Sequence, residues 1–289
     1  MKKTLFTLLF APLLSLAQAP VTGLWRGEIK THGGALPFHF EVNKGSKSEQ
    51  WDIKLMNGSE KSSLGESFLR ADSLVIPFDL YDSELVLQVN KSTEMKGYFV
   101  KKRNGSTLFR LAVSAKAGAA DRFLNLDPPS VNVSGKWMAD FFSDATNHSP
   151  GVGVFEQSGN QVTGTVLRTS GDYRFLQGNI SGDSLLLSYF DGSGLYLIKA
   201  KVADSKLTGK FTSGFNGERN IQAVLNPSAT LPDLKKLTFL KPGFDRIDFK
   251  LPTTSGEQIS LQDERFKNKV VVIELMGSWC PNCLDESRY

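Results

Sequence analysis

Cysteine and histidine are nearly absent from this chain. Its 289 residues hold two cysteines, Cys280 and Cys283, and three histidines, His32, His39 and His148. Two thiols fall short of the four ligands of a structural zinc site, and no two histidines have a ligand spacing with a carboxylate nearby, so neither a metal nor a cofactor is expected. Strong basic charge is lacking too. The net charge is +4, lysine and arginine are scattered, and no basic cluster interleaved with aromatics marks a nucleic-acid interface. Beyond the first residues no apolar run is long enough to span a bilayer, and no convincing helical period appears from Val21 to about Ala115. What remains is an ordinary globular composition, 40% hydrophobic, enough for a packed core in about two domains or three small ones.

The first residues read as a secretory leader. Lys2 and Lys3 precede an apolar stretch from Leu5 to Leu16, broken only by Thr7, Pro12 and Ser15, and small residues follow. Cleavage after Ala19 would leave Pro20 at the cut, so cleavage is expected after Ala17. An uncleaved anchor is the weaker alternative, because the stretch falls short of about 20 apolar residues. No cysteine sits nearby to carry a lipid. Export, to a periplasm, is the expectation.

Short alternating strands separated by turn residues then fill two regions, 18–117 and 130–227. The first reads as Gly23–Ile29, Pro37–Val42, Trp51–Met56, Lys61–Arg70, Ser73–Phe78, Glu84–Val89, Glu94–Lys101 and Thr107–Val113, with turns at Gly33-Gly34, Asn57-Gly58 and Asn104-Gly105. Pro37 and Pro77 fall inside strand runs and mark strand starts, bulges or edges. The second reads as Gly135–Phe141, Gly151–Gln157, Gln161–Arg168, Tyr173–Ile180, Ser184–Phe190, Leu195–Val202, Lys206–Ser213 and Arg219–Leu225. Val21-Thr-Gly-Leu-Trp25 returns as Val133-Ser-Gly-Lys-Trp137, Ala71-Asp-Ser-Leu-Val75 as Gly182-Asp-Ser-Leu-Leu186, and Met95-Lys-Gly-Tyr-Phe99 as Leu207-Thr-Gly-Lys-Phe211, all about 112 residues apart. This is a tandem duplication. Each unit suits an up-and-down barrel of lipocalin-like kind, with a sandwich as the competing architecture. Trp25 and Trp137 either plug the barrel ends or line a small-ligand cavity. Asp140, Asp144 and Asp191 read as loop acids.

After a linker at 228–243 the texture changes. Phe249 to Leu261 reads as a β-hairpin turning at Ser255-Gly256, and Asp263–Lys269 as a short helix or turn. Val270–Met276 reads as a buried central strand, Gly277-Ser278 as a turn, and Trp279-Cys-Pro-Asn-Cys283 as a helix start.

This segment, 244–289, resembles the opening of a TlpA-like thioredoxin-fold disulfide reductase of the redoxin superfamily. The resemblance rests on Asp248-Phe-Lys-Leu-Pro, Gly256-x-x-Ile-Ser-Leu, Phe266-Lys-Asn-Lys-Val-Val-Val-Ile and Gly-Ser-Trp-Cys-Pro-Asn-Cys. It implies an α/β segment behind the two β units, and an exported thiol-disulfide oxidoreductase. Cys280 would attack a protein disulfide, Cys283 would resolve it, and a membrane-borne thiol donor would return the electrons. Trp279 would shield the site and Pro281 would suit the first helical turn. Glu274, six residues before Cys280, is either a buried acid serving Cys283 or an acid at a strand edge reaching solvent. A thioredoxin fold needs further strands beyond Tyr289, so the domain is read as truncated and weak or inactive. Two alternatives stand: a β-barrel binding module for a small ligand or protein, with a vestigial redox segment, and a peroxiredoxin-like peroxidase. The latter's Pro-x-x-x-Thr-x-x-Cys pattern is missing here.

Overall fold

A computed structural model describes residues 19–277 apart from 48, 104, 215–216, 234–235 and 237, together with 283, 286 and 287. The described residues are mainly β, in two closed antiparallel barrels. The first comprises β1 (Gly23–Thr31), β2 (Gly34–Lys44), β3 (Gln50–Asn57), β4 (Glu60–Ser63), β5 (Ser67–Arg70), β6 (Ser73–Phe78), β7 (Ser83–Lys91), β8 (Glu94–Arg103) and β9 (Ser106–Ala117). Neighbours in sequence pair as hairpins, and β1 closes the ring against β9. β4 and β5 lie on the same side of β3, one opposite Lys54–Asn57 and the other opposite Gln50–Trp51. They are therefore the two halves of one barrel strand, interrupted at residues 64–66.

The second barrel comprises β10 (Gly135–Phe142), β11 (His148–Ser158), β12 (Gln161–Leu167), β13 (Leu176–Ser181), β14 (Ser184–Phe190), β15 (Leu195–Ala203), β16 (Lys206–Ser213) and β17 (Gly217–Leu225). It closes in strict sequence order, with β10 against β17. Closure leaves these strands no open edge to aggregate through.

Alternation of apolar and polar residues drives this arrangement, because successive strand residues point to opposite faces. Along β3 the apolar positions Trp51, Ile53 and Leu55 are buried, while Asp52, Lys54 and Met56 are more exposed. Both barrel interiors are filled by packed side chains. Trp25 stacks near Phe40, with ring centroids 6.1 Å apart, and Trp137 sits in a second cluster with Phe155, Val162 and Leu207. Each indole N–H donates to the carbonyl four residues earlier, Trp25 to Val21 at 2.9 Å and Trp137 to Val133 at 2.8 Å. The duplicated tryptophans are thus buried in the packing, which fits the plug reading rather than the alternative of a cavity lined by them.

Pro37 and Pro77 occupy stretches with a partner on one side only. β2 pairs with β1 from Gly34 but with β3 only from His39, and β6 pairs with β7 along its length but with β5 only at Ser73–Val75. A missing N–H costs no ladder bond there.

The second barrel adds side chains to the first barrel's core. Phe190, at the tip of β14, enters the end of the first barrel and contacts Phe38, Phe78 and Phe99 with ring centroids 4.8, 5.4 and 5.2 Å away. Leu195 and Leu197 join the same cluster. The connecting segment 118–134 is laid across the seam. Arg122, fully buried within it, donates to the carbonyls of Met56 (2.6 Å) and Ser188 (3.1 Å), one from each barrel.

After the barrels, β18 (Lys250–Pro252) and β19 (Gln258–Ser260) form the hairpin read from the sequence, and Glu264–Phe266 makes a single 3-10 turn. The expected α/β segment does not follow among the described residues. Val270–Met276 forms no strand, and Val270, Val272 and Leu275 are 96%, 89% and 93% exposed. An apolar β-branched run is a buried strand only if sheet neighbours cover both faces. None of the described residues do so here.

Candidate functional site

The junction between the barrels is built by the β14–β15 turn. Its sequence, Tyr189-Phe-Asp-Gly-Ser-Gly-Leu-Tyr196, sends alternate residues in opposite directions. Phe190 enters the first barrel, whereas Tyr189 and Tyr196, paired across the hairpin, point into the second barrel's mouth. Asp191 holds the turn. One carboxylate oxygen accepts the backbone N–H of Ser193 (2.8 Å) and Gly194 (2.6 Å), and the other accepts the Tyr189 hydroxyl (2.9 Å). Gly192 packs so closely on Phe78 that a Cβ would fall 2.1 Å from the ring. The turn is therefore seated in the first barrel and carries Asp191 with it.

The β12–β13 connection supplies the other wall. Arg174 adopts φ +56°, an uncommon conformation for a side-chain-bearing residue, and its N–H donates to Asp172 at 3.0 Å. Tyr173 stacks on Phe211 at 4.8 Å and packs against Tyr196 at 4.9 Å. Tyr189 lies 5.6 Å from Tyr196, nearly parallel to it. Arg168 covers the cluster, its guanidinium 5.1 Å from the Phe141 ring and 5.2 Å from the Tyr173 ring, with hydrogen bonds to the Tyr173 and Ser149 hydroxyls.

Three clefts meet at Arg174. One of about 490 Å3 runs toward the first barrel, past Glu60, Asp79, Tyr81, Tyr189 and Asp191. One of about 280 Å3 opens over Tyr189, Asp191, Ser193, Tyr196 and Ser213. A third, of about 510 Å3, lies among Gly58, Glu156, Thr165, Asp172 and Phe175. Burial pushes the Asp191 carboxyl above the usual range, while its hydrogen bonds and Arg174 pull it back. Burial and the Asp191 charge push the Tyr189 phenol up, and Tyr196 is raised to about 12. These phenols stay protonated at physiological pH and can donate hydrogen bonds.

The residues chosen from the sequence were others. Trp279, Cys280 and Pro281 fall outside the described residues. Cys283 is described as a helical residue whose carbonyl accepts the Ser287 N–H at 3.0 Å. Glu274 is exposed on the unpaired Val270–Met276 stretch. The junction residues were passed over, and Asp191 was read as a loop acid. Their signal was the pair of tyrosines flanking an acidic, glycine-rich turn.

No family model and no curated protein matches the chain. Among solved structures, the crystal structure of Burkholderia oklahomensis agglutinin is similar to it at 12% identity, over 72% of this chain and 85% of that one, with a TM-score of 0.18. So low a TM-score carries no argument about ligand or activity. The resemblance to a TlpA-like reductase is corrected by these findings together. The described residues are two all-β barrels and a small hairpin, the would-be central strand lies exposed, and no thioredoxin-type or redoxin family model matches. The disulfide-reductase and peroxidase readings, with their protein-disulfide substrates and membrane-borne thiol donor, are therefore set aside.

Proposed function

We propose that the double barrel is a non-enzymatic binding module that takes a small, neutral, polyhydroxylated ligand at the junction. The observation that carries this reading is the convergence of three clefts on Arg174, with walls drawn from both barrels. Small-molecule sites are concave, of about 300–1,000 Å3, with aromatic walls and a few placed polar groups. Tyr196 supplies a ring face and Asp191 supplies acceptors, while Arg174 and the Tyr196 phenol supply donors, the Tyr189 hydroxyl being engaged by Asp191. A polyhydroxylated ring both donates and accepts, which suits that mixture. An anionic ligand would meet Glu60, Asp79, Asp172 and Asp191 against Arg174. The reading includes export, on the strength of the leader-like first residues.

The test uses the full chain and a panel of monosaccharides and disaccharides, followed by thermal shift and titration calorimetry. At least one panel member should bind, and Arg174→Ala or Tyr196→Ala should weaken it by about tenfold or more, equivalent to about 1.4 kcal/mol. Absence of binding across the panel at millimolar concentration would overturn the reading, as would binding that both substitutions leave unchanged.

A further inference from the structure

A further concavity lies away from the junction, on the outside of the first barrel. It measures about 1100 Å3, and its shape follows from the register of neighbouring strands. Two rows of outward-facing residues cross β7, β8, β9 and β1. In one row Gln88 stands opposite Lys96, Lys96 opposite Ser114, and Ser114 opposite Glu28. In the next, Val86 stands opposite Tyr98 and Tyr98 opposite Ala112, with Lys30 following on β1 opposite Ala35 on β2. The outward residues of β9 are thus small where those of β8 and β1 are long. A channel results along β9, floored by Ala112 and Ser114 and walled by Lys96 and Tyr98 on one side and Lys30 on the other.

The charges in this channel are not balanced. Glu28 is taken up by Arg26, at 2.7 Å. The Asp72 carboxylate accepts hydrogen bonds from Gln88 (2.6 Å) and Ser73 (3.0 Å), which hold it below the usual carboxylate range and keep it ionised, one negative charge against several cations. Lys30 and Lys96 make no ion pair or hydrogen bond among the described residues, and Arg110, next outward along β9, adds its guanidinium 5.0 Å from the Tyr98 ring. Tyr98 itself is 45% exposed. A large aromatic ring left in solvent between unpaired cations is a recognition surface more than a packing solution.

We infer that this channel binds an anionic oligosaccharide, with the carboxylates of successive sugar units against Lys30 and Lys96 and a sugar face against Tyr98. Closure of the barrel argues against an acidic peptide. β8, β9 and β1 are each paired on both sides, so no backbone edge is available for strand addition, and recognition must go through side chains. Gln88, Ser73 and Ser114 supply hydroxyl and amide partners suited to sugar hydroxyls.

The experiment uses the full chain with oligogalacturonate hexamer as probe, beside a neutral cello-oligosaccharide, a glutamate hexapeptide and a single-stranded hexanucleotide. The hexauronate should bind, more weakly as salt rises, and tighter than each of the other three by about tenfold or more. Lys30→Gln with Lys96→Gln should abolish the salt dependence and most of the affinity. Tyr98→Ala should lower affinity while keeping the salt dependence, and Arg174→Ala should change neither. Equal binding of the neutral oligosaccharide to the Arg174→Ala chain, whose junction site is impaired, or equal binding of the peptide or nucleotide, would overturn the inference. So would failure of the hexauronate to bind at millimolar concentration, or indifference to the lysine pair. All four substitutions are at exposed or partly exposed side chains, and an unchanged melting temperature confirms that the variants fold.

Discussion

His39 is buried on β2, directly across from Arg26 on β1 and close to Arg122 of the connecting segment. Its Nε2 has no hydrogen-bond partner, and a hydrogen bond to the Asp121 backbone is the feature that favours its proton. Burial, and then the charges of Arg122 and Arg26, lower its pKa from 6.5 to about 4. Glu28, on the same strand as Arg26, is engaged with it. A histidine whose folded pKa lies below its unfolded value contributes stability that is complete above the unfolded value. That stability is lost as pH falls through the window between the two, here from 6.5 toward 4. At about 1.36 kcal/mol per unit, roughly 2 kcal/mol should be gone by pH 5. The raised Asp191 carboxyl works in the opposite direction, and it is common to both proteins in a comparison with a His39 variant. Melting temperatures at pH 7.5 and 5.0 should therefore drop further for the native chain than for His39→Asn. Equal drops would mean that the acid sensitivity lies elsewhere.

At the scale of the strand, most of the molecule could be read in advance. Both sets of alternating runs became barrel strands because alternation, turn residues and tertiary burial agree. The Lys61–Arg70 run, interrupted at 64–66, is the place where one expected strand became two. Val270–Met276 failed for the opposite reason: its composition suits a buried strand, but composition cannot supply sheet neighbours. The repeated glycines of β8 and β16 show what the duplication preserves. A Cβ at Gly97 would fall 1.9 Å from the Val86 carbonyl oxygen, and one at Gly209 would fall 2.1 Å from that of Lys199. In each case the obstacle is backbone of the adjoining strand, which cannot rotate away. Overpacking of this kind costs about 1–3 kcal/mol. Gly209→Ala should accordingly lower the melting temperature by several degrees, on the order of 2–4 °C per kcal/mol for a chain of this size. Gly182→Ala tests a different effect, since Gly182 has open space around it but φ +56°. A Gly209 variant as stable as the native chain would show that the two strands part easily.

At the scale of the whole molecule the sequence was least informative. The duplication reads as two separate units, yet Phe190 belongs to the second barrel by sequence and to the first by packing. Nothing in the local pattern distinguishes it from Tyr189, which packs in its own barrel, because strand alternation assigns faces without saying what covers them. The same blindness hid the junction, whose residues come from Glu60, Arg174 and Asp191 and meet only when both barrels are assembled. This interlocked seam has a thermodynamic consequence. Unfolding either barrel alone would expose Phe190, Leu195 and Leu197 or the Phe38–Phe78–Phe99 pocket, and would strand the buried Arg122 without its carbonyl partners. Each large apolar side chain returned to water costs about 1.5–3 kcal/mol, and a buried guanidinium deprived of partners adds to that. The two barrels should therefore melt in a single calorimetric transition whose van't Hoff and calorimetric enthalpies agree. Phe190→Ala should lower that transition by about 3–5 kcal/mol and begin to separate the barrels' melting, because it empties the first-barrel pocket that the second barrel fills. Two resolved transitions in the native chain would show that the barrels fold independently and that the seam is too weak to carry a joint ligand site.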